Sequence, residues 1–218
     1  MKIKLLKKAG YKEAMLGLSL SYGTTIEKAE GVAETLRHKD GGHNKFLESI
    51  YIWLDITAPR YWWQEADTYR ISTKQSESTI HTLHKRLLSQ DDFEHLIYPP
   101  TLQRLNGLLT TYQENKTTDN LVRLKNELPE GFLQRRIWVM SLKTARNIVL
   151  QRCKHKLPQW QEFVDFLTSI NMKQEEDKAQ ILENAIRETI EENLHLADGD
   201  VCTLAKLKQA INYDEVKE

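Results

Sequence analysis

Between residues 49 and 57 the chain alternates without a fault. Ile50, Ile52, Leu54 and Ile56 fall on one side, and Tyr51, Trp53, Asp55 and Thr57 on the other. A period of two is the pleat of a β-strand, so this run predicts a strand with one strongly apolar face and one aromatic, polar face. Residues 137–142 read as a second strand candidate, and residues 2–7 as a short first strand. Thr24, with Glu27 three residues later, has the form of a capping box. It predicts a helix running to about His38, before Gly41 and Gly42.

Helical spacing continues beyond the strand. Pro59 suits a first helical turn, and residues 60–70 carry Tyr61, Trp62, Trp63 and Tyr69 around the axis. Residues 72–79, dense in hydroxyls and amides, read as a polar turn. A helix is predicted around Leu105 and Leu109, between loops at Tyr98-Pro99-Pro100 and residues 114–120. Two more are predicted over residues 143–152 and from Pro158 to about Ile170. Residues 173–196 are amphipathic, with Leu182, Ile186, Ile190 and Leu194 in one stripe, and the run 197–200 breaks that pattern before a last short helix.

The elements predict a mixed α and β class with helices in excess. At 218 residues and 40% apolar content, the chain can bury one substantial core. A single domain over residues 1–218 is expected, with residues 173–218 as a C-terminal helical extension. Lysines and arginines number 31, as do the acids, leaving no net field to draw nucleic acid or an anionic membrane from a distance. A phosphate ligand would need a local cluster of cations. Cys153 and Cys202 are far apart and form neither a disulfide framework nor a metal-ligand pair, which suits a reducing cytoplasm. The basic N-terminus lacks the apolar run of a signal peptide, and no segment approaches the roughly 18 apolar residues of a membrane span. His81 and His84 stand at helical spacing, but no carboxylate or cysteine lies where a zinc site needs one. No glycine-rich phosphate loop, zinc-protease motif or nucleophile elbow is present, and Ser78 has no evident base beside it in sequence.

The residues that carry candidate chemistry begin with Gly42, His43, Asn44, Lys45, Phe46, Leu47, Glu48 and Ser49. After the strand and the aromatic helix come Thr68, Tyr69, Arg70, Ile71, Ser72, Thr73, Lys74, Gln75, Ser76, Glu77, Ser78, Thr79 and Ile80. This order resembles the flavin-dependent thymidylate synthases (ThyX). That family carries Gly-His-x-Ser-x-Leu-Glu-His, a strand, and then Arg-His-Arg-x-x-Ser-x-Asn-x-x-Ser-x-Arg. The Gly-His and Leu-Glu pairs stand here, Arg70 and Ser78 are identical, and Thr73 and Gln75 keep the chemistry of the family's serine and asparagine. A second block follows Leu128-Pro129, where Arg135, Ser141, Lys143, Arg152 and Gln159-Trp160 fall on family positions with one extra residue between Arg152 and Gln159. The resemblance spans about residues 10–170.

The resemblance implies an α+β fold with a central, mostly antiparallel sheet flanked by several helices. It implies one-carbon transfer to C5 of deoxyuridine monophosphate (dUMP) or a related pyrimidine nucleotide. Methylenetetrahydrofolate is then the carbon donor, reduced flavin adenine dinucleotide (FAD) the hydride source, and NADPH a co-substrate. It further implies a homotetramer in which the aromatic helix is an interface element. His43, Glu48, Tyr69, Arg70, Thr73 and Gln75 would border the flavin. Ser76, Ser78, Arg135, Lys143 and Arg152 would hold the nucleotide. No catalytic side chain and no metal are assigned, and neither nucleic acid nor membrane is an expected partner.

The departures bear on activity. Two of the three Arg-His-Arg positions are Thr68 and Tyr69, which cannot form the bidentate, charge-assisted bonds that arginine makes to phosphate. The motif's last arginine is Ile80, with His81 beside it. Lys45, Lys74 and Arg60 lie near enough in sequence to supply other phosphate contacts. Three readings fit: an active flavin enzyme, a family fold that binds a nucleotide as a regulatory or inactive homologue without flavin, and an unrelated helix-rich interaction protein. Each candidate also has a plainer role. His43 can satisfy backbone carbonyls after a helix, Trp62 and Trp63 can be core or subunit interface, and Arg70 can neutralise a helix C-terminus. Arg135, Arg136, Lys143, Arg146 and Arg152 can form a solvated cationic face.

Overall fold

The alternating run is realised as strand β2 (Tyr51–Pro59), and its apolar side lies at the centre of the molecule. Ile52, Leu54, Ile56 and Ala58 have no solvent exposure, and opposite them on β4 (Leu133–Ser141) Met140 and Trp138 are equally buried. A computed structural model describes residues 1–173, within the first of two units, Met1–Gln174 and Glu175–Glu218. The amphipathic stripe and the extension expected after Lys173 lie outside the described residues. With β1 (Lys2–Ala9) and β3 (Ser72–Ser76), the two central strands form one sheet in the order β1-β2-β4-β3, antiparallel throughout. Eight helices accompany it among the described residues, giving the expected α+β class.

One face of the sheet is covered by α3 (Arg60–Ala66), α7 (Leu142–Arg152) and α8 (Pro158–Ser169). Trp62, Trp63, Ala145, Ile148, Trp160 and Phe163 close over the apolar side of β2 and β4 in one core. Ring centroids of Trp62 and Trp160 stand 4.8 Å apart, and Trp63 Nε1 donates to the Gln134 carbonyl at 2.9 Å. The tryptophan pair is therefore core. A second apolar cluster joins α1 (Tyr11–Tyr22) and α2 (Ile26–Leu36) to Phe46, Leu47 and Ile50. A third joins α5 (Pro99–Glu114) and α6 (Thr118–Glu127) to Leu83, Leu88, Phe93 and Phe132.

Several elements differ from expectation for identifiable reasons. Residues 72–79 are not a turn throughout. Residues 72–76 form β3, an edge strand with its back to solvent, where polar side chains and a lysine are tolerated and guard the edge. The aromatic helix ends at Ala66, where the Asp67 amide and the Thr68 hydroxyl turn back onto the carbonyls of Trp63 and Glu65. Arg70 thus lies beyond the helix end and does not neutralise it. Thr25, not Thr24, caps α2, with its hydroxyl accepting from the Lys28 amide. Pro99 and Pro100 open α5 instead of lying in a loop, since the first helical positions need no amide hydrogen. Thr117 caps α6, shortening the expected loop at 114–120. The helix α1 carries a weakly periodic sequence and was not among the expected elements.

Candidate functional site

At the end of β4, Ser141 leaves the sheet and caps α7. Its hydroxyl accepts from the Thr144 amide at 3.2 Å. Thr144 Oγ1 in turn donates to the Ile71 carbonyl at 3.1 Å, and the Leu142 amide donates to the Ile50 carbonyl at 2.8 Å. The first turn of α7 is thereby pinned to the starts of both β2 and β3. Lys143 projects from this turn, and its ammonium donates to Asn44 Oδ1. Asn44 is fully buried, and its Nδ2 has no hydrogen-bond partner among the described residues. An unfilled buried donor costs about 1–3 kcal/mol, so the Asn44 amide is a group with unused capacity for a ligand oxygen. His43 and Glu48 flank Asn44 and are exposed.

At the other end of α7, Arg152 enters a different environment. Its Nε donates to the Tyr69 hydroxyl and Nη1 to Glu65 Oε2, both at 2.9 Å. Trp160 Nε1 donates to the same Glu65 oxygen at 2.8 Å, and His155 Nε2 lies 3.2 Å from it. The guanidinium stands 4.5 Å from the Trp160 ring centroid and 5.6 Å from that of Tyr69. Side-chain exposure is 18% for Arg152 and 35% for Glu65, so the pair is largely internal.

Between these ends lies the β3 edge. Lys74 faces the core, 4.5 Å over the Trp138 ring, and donates to the Tyr69 carbonyl at 3.1 Å. Burial lowers its basicity, with Asp67 opposing that effect and Arg136 adding to it. Arg136 stacks 4.6 Å over Trp63 and bonds both Asp67 oxygens at 3.0 and 3.1 Å. Thr73 and Gln75 point to the opposite face, beside Val139 and Ile137. Ser76 is exposed at the strand end, and Ser78 precedes the short helix α4 (Thr79–Thr82), its carbonyl accepting from the Thr82 hydroxyl at 2.8 Å. Arg135 forms a two-point pair with Asp55 at 2.8 and 2.6 Å. That bonding holds the Asp55 carboxyl below its usual range, against a smaller upward push from burial.

Eight of the eleven residues expected to bind ligands fall into three groups, with Arg70, Ser76 and Ser78 outside them. Lys143, His43 and Glu48 gather at the start of α7. Tyr69 and Arg152 lie beneath the sheet in the Glu65 cluster. Arg135, Thr73 and Gln75 lie on the face opposite the tryptophan core. Asn44, Asp55 and Glu65, the partners of Lys143, Arg135 and Arg152, were given no binding role from the sequence. Only the strand register could have revealed Asp55 beside Arg135. Lys45 is exposed, and Arg60 is engaged by the Leu128 carbonyl at 2.9 Å and Glu130 at 3.5 Å. A cleft of about 360 Å³ lined by Tyr61, Glu94, Ile97 and Tyr98 holds none of the expected residues.

The Arg-His-Arg positions can be tested against a flavin directly. Thr68 is turned back onto the Glu65 carbonyl at 2.7 Å, and Tyr69 is turned inward against Trp138 and Trp160. Thr68 and Arg70 are exposed, and Arg70 has no ion pair among the described residues. These three positions of one chain do not make a grip for a flavin diphosphate. Among the described residues, no group of three or more His, Cys, Asp or Glu is placed to hold a metal, and no helix is long and apolar enough to cross a membrane.

No protein-family model matches the chain, and no curated protein is similar to it in sequence. Solved structures do share the fold. Thymidylate synthase X from Helicobacter pylori, crystallised with FAD and dUMP, superposes with a TM-score of 0.63 at 16% identity, covering 76% of this chain and 90% of that one. A second structure of the flavin-dependent enzyme from the same organism, complexed with FAD and dUMP, gives 0.62 at 17% identity, covering 76% and 91%. The fold is ThyX-like.

Proposed function

We propose that this chain binds a pyrimidine nucleotide of the dUMP class at the start of α7. The observation that carries the reading is the convergence of Lys143, the buried Asn44 amide with its unfilled donor, and the capped first turn of an 11-residue helix. A helix N-terminus favours an anion, a lysine neutralises it, and an amide hydrogen distinguishes an oxygen acceptor. The fold likeness supports the ligand class, since the H. pylori structures carry dUMP. Ser76 and Ser78 stand at the other end of β3 and Gln75 on its opposite face, so none of the three joins this site within one chain. Arg152 acts from beneath, fixing Tyr69 and the sheet edge.

Two chemistries can follow from such binding. Inward-turned Tyr69 and the absence of a phosphate grip at Thr68 favour binding without flavin chemistry, as a regulatory or inactive homologue. The FAD held by the structural neighbours favours the second: C5 one-carbon transfer with methylenetetrahydrofolate and NADPH, in a homotetramer where other subunits complete the site. A visible absorbance spectrum of the full chain, taken after loading with FAD and removing the unbound fraction, separates them. No retained flavin together with measurable dUMP binding is the expected result. Retained flavin whose spectrum shifts with dUMP favours the second chemistry, and neither ligand bound overturns the proposal.

A further inference from the structure

The face of the sheet opposite the tryptophan core carries no helix among the described residues, and register places its side chains in rows. Lys2, Thr57 and Arg135 form one row, and Lys4, Asp55, Ile137 and Gln75 the next. Lys7, Trp53, Val139 and Thr73 form the third, and Ala9, Tyr51 and Ser141 the fourth. A bulge between Leu5 and Lys7 absorbs Leu6 and keeps Lys7 on this face, directly opposite Trp53. Without it the alternation of β1 would bring Leu6 into that row. The cation sits 5.8 Å over the Trp53 ring, whose centroid is 6.4 Å from that of Tyr51.

Charge on this face is segregated. Lys2, Lys4 and Lys7 are exposed and have no ion-pair partner within bonding distance among the described residues. Arg135 neutralises Asp55, the one acid in the rows, and Glu77 lies near Arg135 beyond the end of β3. A balanced net charge cancels only at long range, because screening confines each charge to about 8–10 Å. Successive rows are about 6.7 Å apart, comparable to the phosphate repeat of an extended single strand. The two aromatic rings offer stacking surfaces at a similar interval. Sheet faces that combine aromatics with flanking cations stack the bases of single strands and track their backbone.

We propose that this face binds single-stranded nucleic acid, with Tyr51 and Trp53 stacking bases and Lys2, Lys4 and Lys7 following the phosphates. A second copy of the chain is the poorer occupant, since laying the face on itself sets three unpaired lysines against three. The test is fluorescence anisotropy of the full chain with a labelled single strand of about 12 nucleotides. Three phosphate contacts give a slope near −2 in log affinity against log salt, a loss of roughly 20-fold between 50 and 200 mM. The Lys2→Gln/Lys4→Gln/Lys7→Gln variant is expected to flatten that slope and Trp53→Leu to weaken binding about tenfold. Circular dichroism checks that both variants fold.

Fluorescence gives an independent readout, because the other four tryptophans have no exposure and only Trp53 can be quenched by a stacked base. The strand is expected to quench it and dUMP alone to leave it unchanged. No binding by the native chain, binding unmoved by the lysine substitutions, equal quenching by dUMP, or self-association through this face without strand binding would each overturn the proposal.

Discussion

Arg152 Nε donates to the Tyr69 hydroxyl at 2.9 Å, joining the last turn of α7 to the segment that leads into β3. The same guanidinium pairs with Glu65 and stacks on Trp160, so one cation serves three partners. Arg152→Met is expected to destabilise the fold by about 1–3 kcal/mol, less than for a fully buried pair because both side chains retain some exposure. Arg152→Lys should recover little, since an ammonium cannot reproduce a planar fork stacked between two rings. Urea denaturation midpoints of the two variants measure this.

Tyr69 also bears on the flavin. If inward-turned Tyr69 and short Thr68 are why the phosphate grip is missing, Thr68→Arg with Tyr69→His should raise FAD retention while lowering thermal stability. Absorbance after gel filtration measures the first effect and calorimetry the second. Unchanged retention in a folded double variant would locate the deficit elsewhere.

Gly10 provides a purely steric prediction. At φ 94° its backbone lies where side chains are strained, and an added Cβ would stand 2.1 Å from the Ser49 carbonyl oxygen. Gly10→Ala must displace either α1 or the turn carrying Asn44, with an expected cost above about 2 kcal/mol. The denaturation midpoint should fall accordingly, whereas Gly17→Ala on α1, with open space around it, should not lower it.

Acid stability follows from the paired carboxylates. Bonding to Arg135 depresses Asp55. For Asp92 burial pushes upward, but Arg86 and the Ser89 amide together outweigh it and leave it depressed. A carboxyl depressed by folding contributes stability above its unfolded value near pH 4, lost as pH falls through the folded value. Urea midpoints should be flat from neutrality to about pH 5 and fall below about pH 4. Asp92→Asn should make that acid limb shallower.

The sequence made the core strand readable because its period is short and its apolar face unbroken. Ile52, Leu54 and Ile56 are as buried as the alternation requires. The edge strand was not readable, since Ser72–Ser76 has no apolar face and owes its form to pairing with β4. Among site residues, motif position identified Lys143 and Arg152 but not their surroundings. Glu65 is four residues from Tyr69 in sequence and Arg152 a further 83, so their cluster exists only after α7 folds under the sheet. The face holding Lys7 was hidden for another reason: a bulge shifts the alternation by one residue.

The central claim, nucleotide binding at Lys143 and Asn44, is tested most directly by calorimetric titration of dUMP into the flavin-free full chain, alongside Lys143→Met. The account predicts saturable binding by the native chain and at least a tenfold loss in the variant, whose fold is verified by its denaturation midpoint. Absence of binding to the native chain, or equal affinity in the variant, would contradict it.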